Sequence, residues 1–365
     1  MFTLIKTKKN GLRQGLLKTA HGSLETPFYM PDATRGFIKL TSNDEIKKTN
    51  TYALVVNTFH LFLQPGLDII KKTGGLHKFM NWSGPLLSDS GGFQIFSLIH
   101  KNPKMGKINE DGAVFKSPLD GSVHEISPEK SIQIQFSLGV DMMVCLDDCP
   151  PNEFSRSDLE KAVERTIKWA KRCKDEYNRQ IKKRKLRGLK KPLLFAVIQG
   201  GAEIDLRERC ARELVSIGFD GYGFGARPVD KNGKFLDEVL KKTASYIPEK
   251  SLRFALGIGT PEDIRRCALM GWDMFDCVIP TREGRHGKLF KLLKNFKYTN
   301  LNIKNASFSH NFREINKESA IKELSNNSLA YLHHLFRLNE PFGQKLASLN
   351  NLEFYQKFLA RIRKL

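Results

Sequence analysis

The stretch LLFAVIQGGAEIDLRERCARELVSIGFDGYGF, Leu193 to Phe224, decides the fold. Its first six residues, 193–198, are an apolar run too short for a buried helix, and Gln199 and Gly200 interrupt it at once. That is the pattern of a strand buried on both faces. Over 204–218, Leu206, Cys210, Leu214 and Ile217 recur at helical spacing with charged residues between them, which predicts an amphipathic helix. A second short run, GYGF at 221–224, follows. A strand, a helix and another strand in this order bring the two strands into parallel pairing.

The same rhythm extends in both directions. YALVVN (52–57), PLLS (85–88), DMMVCL (141–146), RFALGI (253–258) and MFDCVI (274–279) are further strand candidates, and RSDLEKAVERTIKWAKRC (156–173) reads as another amphipathic helix. So many repeats predict an α/β chain closed into a (β/α)8 TIM barrel. An open doubly wound sheet is the alternative, but no G-x-G-x-x-G opens a helix after the first strand. The barrel is expected over 1–290, with a basic C-terminal subdomain, 291–365, closing it. Polar residues gather just after the strands: Asn57 and His60, Asp89 and Ser90, Asp147 and Asp148, Gln199 and Gly200, Gly225, Gly257 and Gly259, and Asp276. One such residue is commonly a turn former. Seven such places on one predicted rim, the C-terminal face of a barrel, point to a shared site.

Charge narrows the partner. The chain carries 60 Lys and Arg against 39 Asp and Glu, a formal +21, and its 25 Phe imply a substantial core. Such a balance favours an acidic partner, nucleic acid before a membrane surface. The surplus is uneven: NRQIKKRKLRGLKKP (178–192) is a basic run, and Arg282 to Leu365 holds 16 Lys and Arg against 6 Asp and Glu. The run reads either as a solvated loop or as a nucleic-acid contact. Six cysteines, at 145, 149, 173, 210, 267 and 277, form no C-x-x-C pair, which fits reduced thiols. No segment reads as a signal peptide or a membrane span, and a cytoplasmic location is expected.

Two stretches carry the chemistry. In MFDCVIPTREGRHGKLF, 274–290, the acid Asp276 interrupts a strand, and Arg282, Arg285, His286 and Lys288 follow. Asp276 is either an anchor for a turn or a reacting carboxylate whose substrate is a polyanion. In LLSDSGGFQIFS, 86–97, Asp89 ends a strand and Gly91–Gly92 permit close backbone approach. Together with VIQGG (197–201) these strings become specific. From about Gly11 to Lys357 the chain resembles the tRNA-guanine transglycosylase family, the bacterial queuosine enzymes. TPFYMPDATRGFIK, VVNTFHLFLQPG, GGLHKFMNW, SDSGGFQ, SPEKSIQIQ, IGFDGYGFG and YLHHLF occur in the family's order.

The resemblance implies a barrel enzyme that exchanges an anticodon-loop guanine of tRNA for a 7-deazaguanine base, without a cofactor. Breaking an N-glycosidic bond by double displacement needs one carboxylate to attack the sugar and one to manage the leaving group's proton. The family's motif places Asp276 as the nucleophile and Asp89 as the general acid/base. Asp147 is implied to accept hydrogen bonds from the guanine amino edge, and Gln199 with the Gly200 backbone to face its carbonyl. Phe93 takes the stacking position and Leu256 the opposite wall, while Ser90, Cys149, Gly225 and Val229 complete the base pocket. Arg282 and Arg285 are implied to hold anticodon-loop phosphates through their guanidinium forks.

The chain departs from its family in two places. The family's structural zinc is bound by a C-x-C-x-x-C and a later histidine, and these four positions hold Ser319, Ile321, Leu324 and Asn350. No plausible structural zinc ligand remains among them, so apolar packing is expected in place of the metal. In GARPVDK, Gly225 to Lys231, Arg227 stands where the family has a leucine, with Pro228 after it. The arginine either points away and leaves the backbone carbonyl in place, or, as a buried cation, repels an aminomethyl cation, which leaves the incoming base open. Action on another base or on DNA, or a non-catalytic tRNA-binding role, are the alternative readings. The family's homodimer is also left open by the altered zinc region.

Overall fold

The computed structural model describes residues 1–150, 154–230, 232–294 and 296–365. Eight strands form the central sheet: β1 (Phe28–Pro31), β2 (Leu54–Val56), β3 (Leu86–Ser88), β4 (Met142–Val144), β5 (Leu193–Ile198), β6 (Gly221–Phe224), β7 (Leu252–Ala255) and β8 (Met274–Cys277). They lie side by side in chain order, and every neighbouring pair from β2 through β8 and back to β1 is parallel. A parallel bridge between Asp32 and Val55 joins β1 to β2 and closes the barrel.

Alternation along each strand sorts the core into two layers. Met30, Val55, Leu87, Val144, Phe195, Val197, Phe254 and Met274 fill the interior. Their strand neighbours Tyr29, Leu54, Val56, Met143, Leu194, Ala196 and Phe275 face outward into the layer beneath the helices. On β6 the inward positions are glycines. A Cβ at Gly221 would collide with the Phe195 ring, and one at Gly223 with Leu256. The interior is therefore closed over β6 by neighbours' side chains. An antiparallel sheet, Phe2–Thr7, Arg13–Thr19 and Gly22–Glu25, sends Leu17 and Leu24 into the same interior cluster and seals the end where the strands begin.

The structure adds an eighth strand, Phe28–Pro31, to the seven strand candidates of the sequence. Its four residues sit between Pro27 and Asp32 and are all buried, so no polar alternation marks them. The basic run 178–192 is also not a loop throughout. The helix Arg156–Arg184 continues into it and ends at Lys185, in the left-handed region at φ 54°. Buried Glu176 favours that continuation by accepting from Gln133 Nε2 (3.0 Å) and Gln180 Nε2 (2.8 Å). The following turn, Gly188–Lys190, packs on Arg13–Thr19, so it lies at the end of the barrel where the strands begin.

After β8 the chain forms the helix Ile279–Arg285, a hairpin of Lys288–Leu292 and Tyr298–Asn302, and three helices ending with Pro341–Lys364. That last helix serves two cores. Leu352, Phe354, Tyr355, Phe358, Leu359 and Ile362 join the layer outside the barrel, whereas Leu346, Ala347 and Leu349 join a separate cluster with Leu289 and Ile303. It crosses Ile279–Arg285 closely enough that a Cβ on Gly284 would lie 2.8 Å from the Ser348 backbone. Among the described residues no helix is long and apolar enough to cross a membrane.

Candidate active site

The inward face continues past the strand ends. Counting by twos from Phe28 and Met30 gives Asp32, from Val55 gives Asn57, and from Leu87 gives Asp89. The same count gives Gln199 after Val197, Leu256 after Phe254, and Asp276 after Met274. Apolar side chains thus fill the barrel up to one level, and polar ones, with Leu256 among them, crown it. Above that level opens a cavity of about 590 Å³, lined among others by Asp32, Asn57, Asp89, Ser90, Phe93, Asp147, Cys149, Gly225, Val229, Leu256 and Asp276. Nine of the residues expected from the sequence to act on base and sugar therefore line one cavity.

The acids differ in their surroundings. Asp89 is anchored by Asn57 Nδ2 (2.5 Å), the Thr58 amide (2.8 Å) and the Gly91 amide (3.2 Å). Burial outweighs these donors and, with the charge of Asp276 nearby, raises its pKa to about 7. Asp276 accepts one amide, from Gly257 at 2.8 Å, and burial raises its pKa to about 6. Asp147, opposite, accepts from Gln199 Nε2 at 2.7 Å, and burial raises it to about 6. Two carboxyls raised toward neutrality in one cavity, with different hydrogen bonding, can divide acid and base roles. Burial pushes the Cys149 thiol up to about 12, which keeps it un-ionised.

Gln199 and Gly200 are not on the wall. Gln199 is fully buried behind Asp147, its amide filling the space that a Cβ on Gly225 would need. Donating its Nε2 hydrogen bond to Asp147 leaves its own Oε1 buried without a partner among the described residues. The loops here are tied by Arg207, a residue that the sequence reading takes only as part of an amphipathic helix. It is 1 % exposed and donates to the carbonyls of Gly201 (2.7 Å), Ile198 (3.0 Å) and Gly225 (2.9 Å), with its guanidinium 3.8 Å over the Phe224 ring. Next to it Ala226 is held at φ 72°, a strained conformation for a residue with a Cβ.

The cavity mouth carries the aromatic and basic residues. Phe93 is 56 % exposed at the rim, and Leu256 faces the cavity from the β7 side. Arg282 and Arg285 stand on the helix that leaves β8. Arg282 is exposed beside Glu283, and Arg285 is half-buried with no hydrogen bond or ion pair among the described residues. Arg227 lines the mouth as an exposed side chain. Of the two possibilities that the sequence leaves open, a side chain turned away or a buried cation, its exposure matches the first. Lys231, which ends that run, lies outside the described residues.

Two further features sit where the strands begin. His21 Nδ1 and His77 Nε2 approach the Asp141 carboxylate at 2.8 and 3.3 Å, with their rings stacked 3.6 Å apart. Asp141 also accepts the Leu86 amide at 3.0 Å, so hydrogen bonding accounts for this trio. A second cavity of about 550 Å³ lies near Arg13 and Arg253. It covers the buried Arg13–Asp273 pair at 3.0 Å, which anchors the N-terminal sheet to the loop before β8.

Comparison with known proteins decides the family. The family model for queuine tRNA-ribosyltransferase matches residues 8–365. The chain belongs to the queuine tRNA-ribosyltransferase family. It is 41 % identical over 360 residues to the queuine tRNA-ribosyltransferases of Staphylococcus aureus strains bovine RF122 / ET3-1 and JH9, an alignment covering 98 % of this chain and 90 % of each relative. Members of this pentosyltransferase family are implied by the resemblance to hold a structural zinc, and the four residues at those positions do not fit one. Ile321 and Leu324 are buried in the apolar cluster with Leu329, Leu332, Leu335 and Phe336. Asn350 donates to the Phe290 carbonyl at 3.1 Å, and Ser319 Oγ accepts the Ile321 amide at 3.1 Å. His333 is occupied by the Ile303 carbonyl at 2.7 Å.

Proposed function

We propose that this enzyme exchanges a guanine in the anticodon loop of tRNA for a 7-deazaguanine base by double displacement. The observation that carries the reading is the pairing of Asp276 and Asp89 in one cavity, with unequal hydrogen bonding and raised pKa values. The flipped guanosine enters with its base toward Asp147, between Phe93 and Leu256. An Asp276 oxygen attacks the sugar C1′, and the bond from C1′ to the base nitrogen N9 breaks, its electron pair leaving with the purine. The Asp89 proton passes to the departing base, giving free guanine, a ribosyl ester on Asp276 and an Asp89 carboxylate. The incoming base then gives its N9 proton to Asp89 and attacks C1′, which releases Asp276. Two inversions retain the sugar's configuration.

Gln199 acts through Asp147: it holds that carboxylate in place, so the amino edge of the base meets a fixed acceptor. Arg282 and Arg285, beside the exit of β8, suit backbone phosphates of the loop. The test is incubation with radiolabelled guanine and either tRNA, an anticodon stem-loop RNA or a DNA duplex. Label should enter both RNAs and not the duplex. Label in DNA alone, or in nothing while the protein is folded, would overturn the reading.

A further inference from the structure

Asp32 is a third carboxyl in the cavity, and the double displacement has no task for it. It follows β1, two positions beyond Met30, on the inward face. Its strand neighbours β8, with Cys277 opposite Pro31, and Asp32 itself bridges to Val55 on β2. It therefore sits between the strand bearing Asp276 and the strands leading to Asn57 and Asp89. Those elements form one side of the cavity. Asp147 and Gly225, assigned to the base, follow β4 and β6 on the other. A nucleotide whose base reaches Asp147 while Asp276 faces its C1′ has its sugar on the Asp32 side of the cavity.

The side chain is also unengaged. Asp89, Asp147 and Asp276 all accept hydrogen bonds from the protein, whereas none reaches the Asp32 carboxyl among the described residues. Asp32 lines the cavity, so its carboxyl is open to a ligand's hydrogen bonds. Burial, and then the charges of Asp276 and Asp89, hold its pKa well above the usual carboxylate range. The protonated form so favoured offers a donor and an acceptor, the complement of a hydroxyl.

We infer that Asp32 binds the 2′-hydroxyl of the nucleotide undergoing exchange and so makes the site select ribose over deoxyribose. The 2′-hydroxyl is the group by which a protein tells RNA from DNA at a given position, and hydrogen bonds to a sugar hydroxyl beside the reacting carbon strengthen as the bond breaks. The inference rests on the exchange reading above. Its test uses two stem-loop RNAs that differ only in carrying guanosine or 2′-deoxyguanosine at the exchanged position. The wild-type kcat/KM should favour the ribose form, and Asp32→Ala should cut that preference by about ten-fold, the worth of one good hydrogen bond. Asp32→Asn, whose amide still meets a hydroxyl, should keep most of it. A purely structural role would lower both substrates together. An unchanged preference in Asp32→Ala would overturn the inference alone, with exchange intact. A folded wild-type protein that exchanges neither substrate would overturn it together with the exchange reading.

Discussion

Replacing Asp89 with Asn should change how stability depends on pH, in a direction fixed by its burial. Burial and the neighbouring Asp276 raise the Asp89 pKa from 3.8 to about 7. A carboxyl whose folded pKa exceeds its unfolded one binds its proton more tightly in the native state. Its stabilising contribution is complete below the unfolded pKa and is lost as pH rises through the folded value. At 1.36 kcal/mol per pH unit, the ionised acid costs the folded state roughly 4 kcal/mol well above pH 7. Of this, roughly 2 to 3 kcal/mol develops between pH 5 and pH 8.5. For a chain of 365 residues that is a melting shift of roughly 3 to 4 °C.

Asparagine removes the titration but turns an N–H toward the Asn57 amide, forfeiting one hydrogen bond worth about 1 kcal/mol. By pH 5 wild type has already lost about 1 to 2 kcal/mol to ionisation in the unfolded chain, so the variant should melt close to wild type there and clearly above it at pH 8.5. Parallel melting series at half-unit pH steps isolate the effect, because the other acids titrate in both proteins. Some of the difference will include the response of Asp276 to losing its charged neighbour. Curves that stay parallel from pH 5 to 8.5 would show that Asp89 does not bind its proton more tightly in the folded state.

Two further outcomes follow from the rim and from the C-terminal cluster. Affinity for tRNA should fall steeply with salt, and replacing Arg282 and Arg285 by Gln should weaken it and reduce the log–log slope by roughly 0.7–0.9 for each phosphate that is no longer neutralised; a flat salt response would mean that the basic surplus serves solubility alone. The purified enzyme should hold no stoichiometric zinc, and chelator should leave its melting temperature unchanged, whereas Leu324→Ala, at a fully buried position, should cost about 2–5 kcal/mol; one tightly held zinc whose removal lowers the melting temperature would refute the apolar replacement.

Strand β5 was legible because all six of its residues are apolar and its ends are punctuated. The glycines of β6 were legible as a short strand, but not as the reason that Phe195 and Leu256 can fill the interior. β1 was missed because four residues between Pro27 and Asp32 resemble a turn. With it went the count by twos that turns Asp32 inward. Arg207 reads as a solvated helix residue, since nothing in its neighbourhood announces the three carbonyls that bury it. Gln199 is legible as a rim residue, yet whether it meets a base or stands behind Asp147 depends on side-chain packing that spacing does not encode. Ile321 and Leu324 were readable because an apolar residue at a thiolate position has few uses besides a core.

Mapping the covalent intermediate tests the central claim most directly. The enzyme would be mixed with tRNA and a base analogue that stalls the second displacement, denatured, digested, and the adduct-bearing peptide sequenced by mass spectrometry. The double displacement through Asp276 predicts a ribosyl adduct on the peptide spanning Met274–Cys277, and its loss in Asp276→Asn while tRNA binding persists. An adduct on another residue, or a normal adduct in Asp276→Asn, would contradict it.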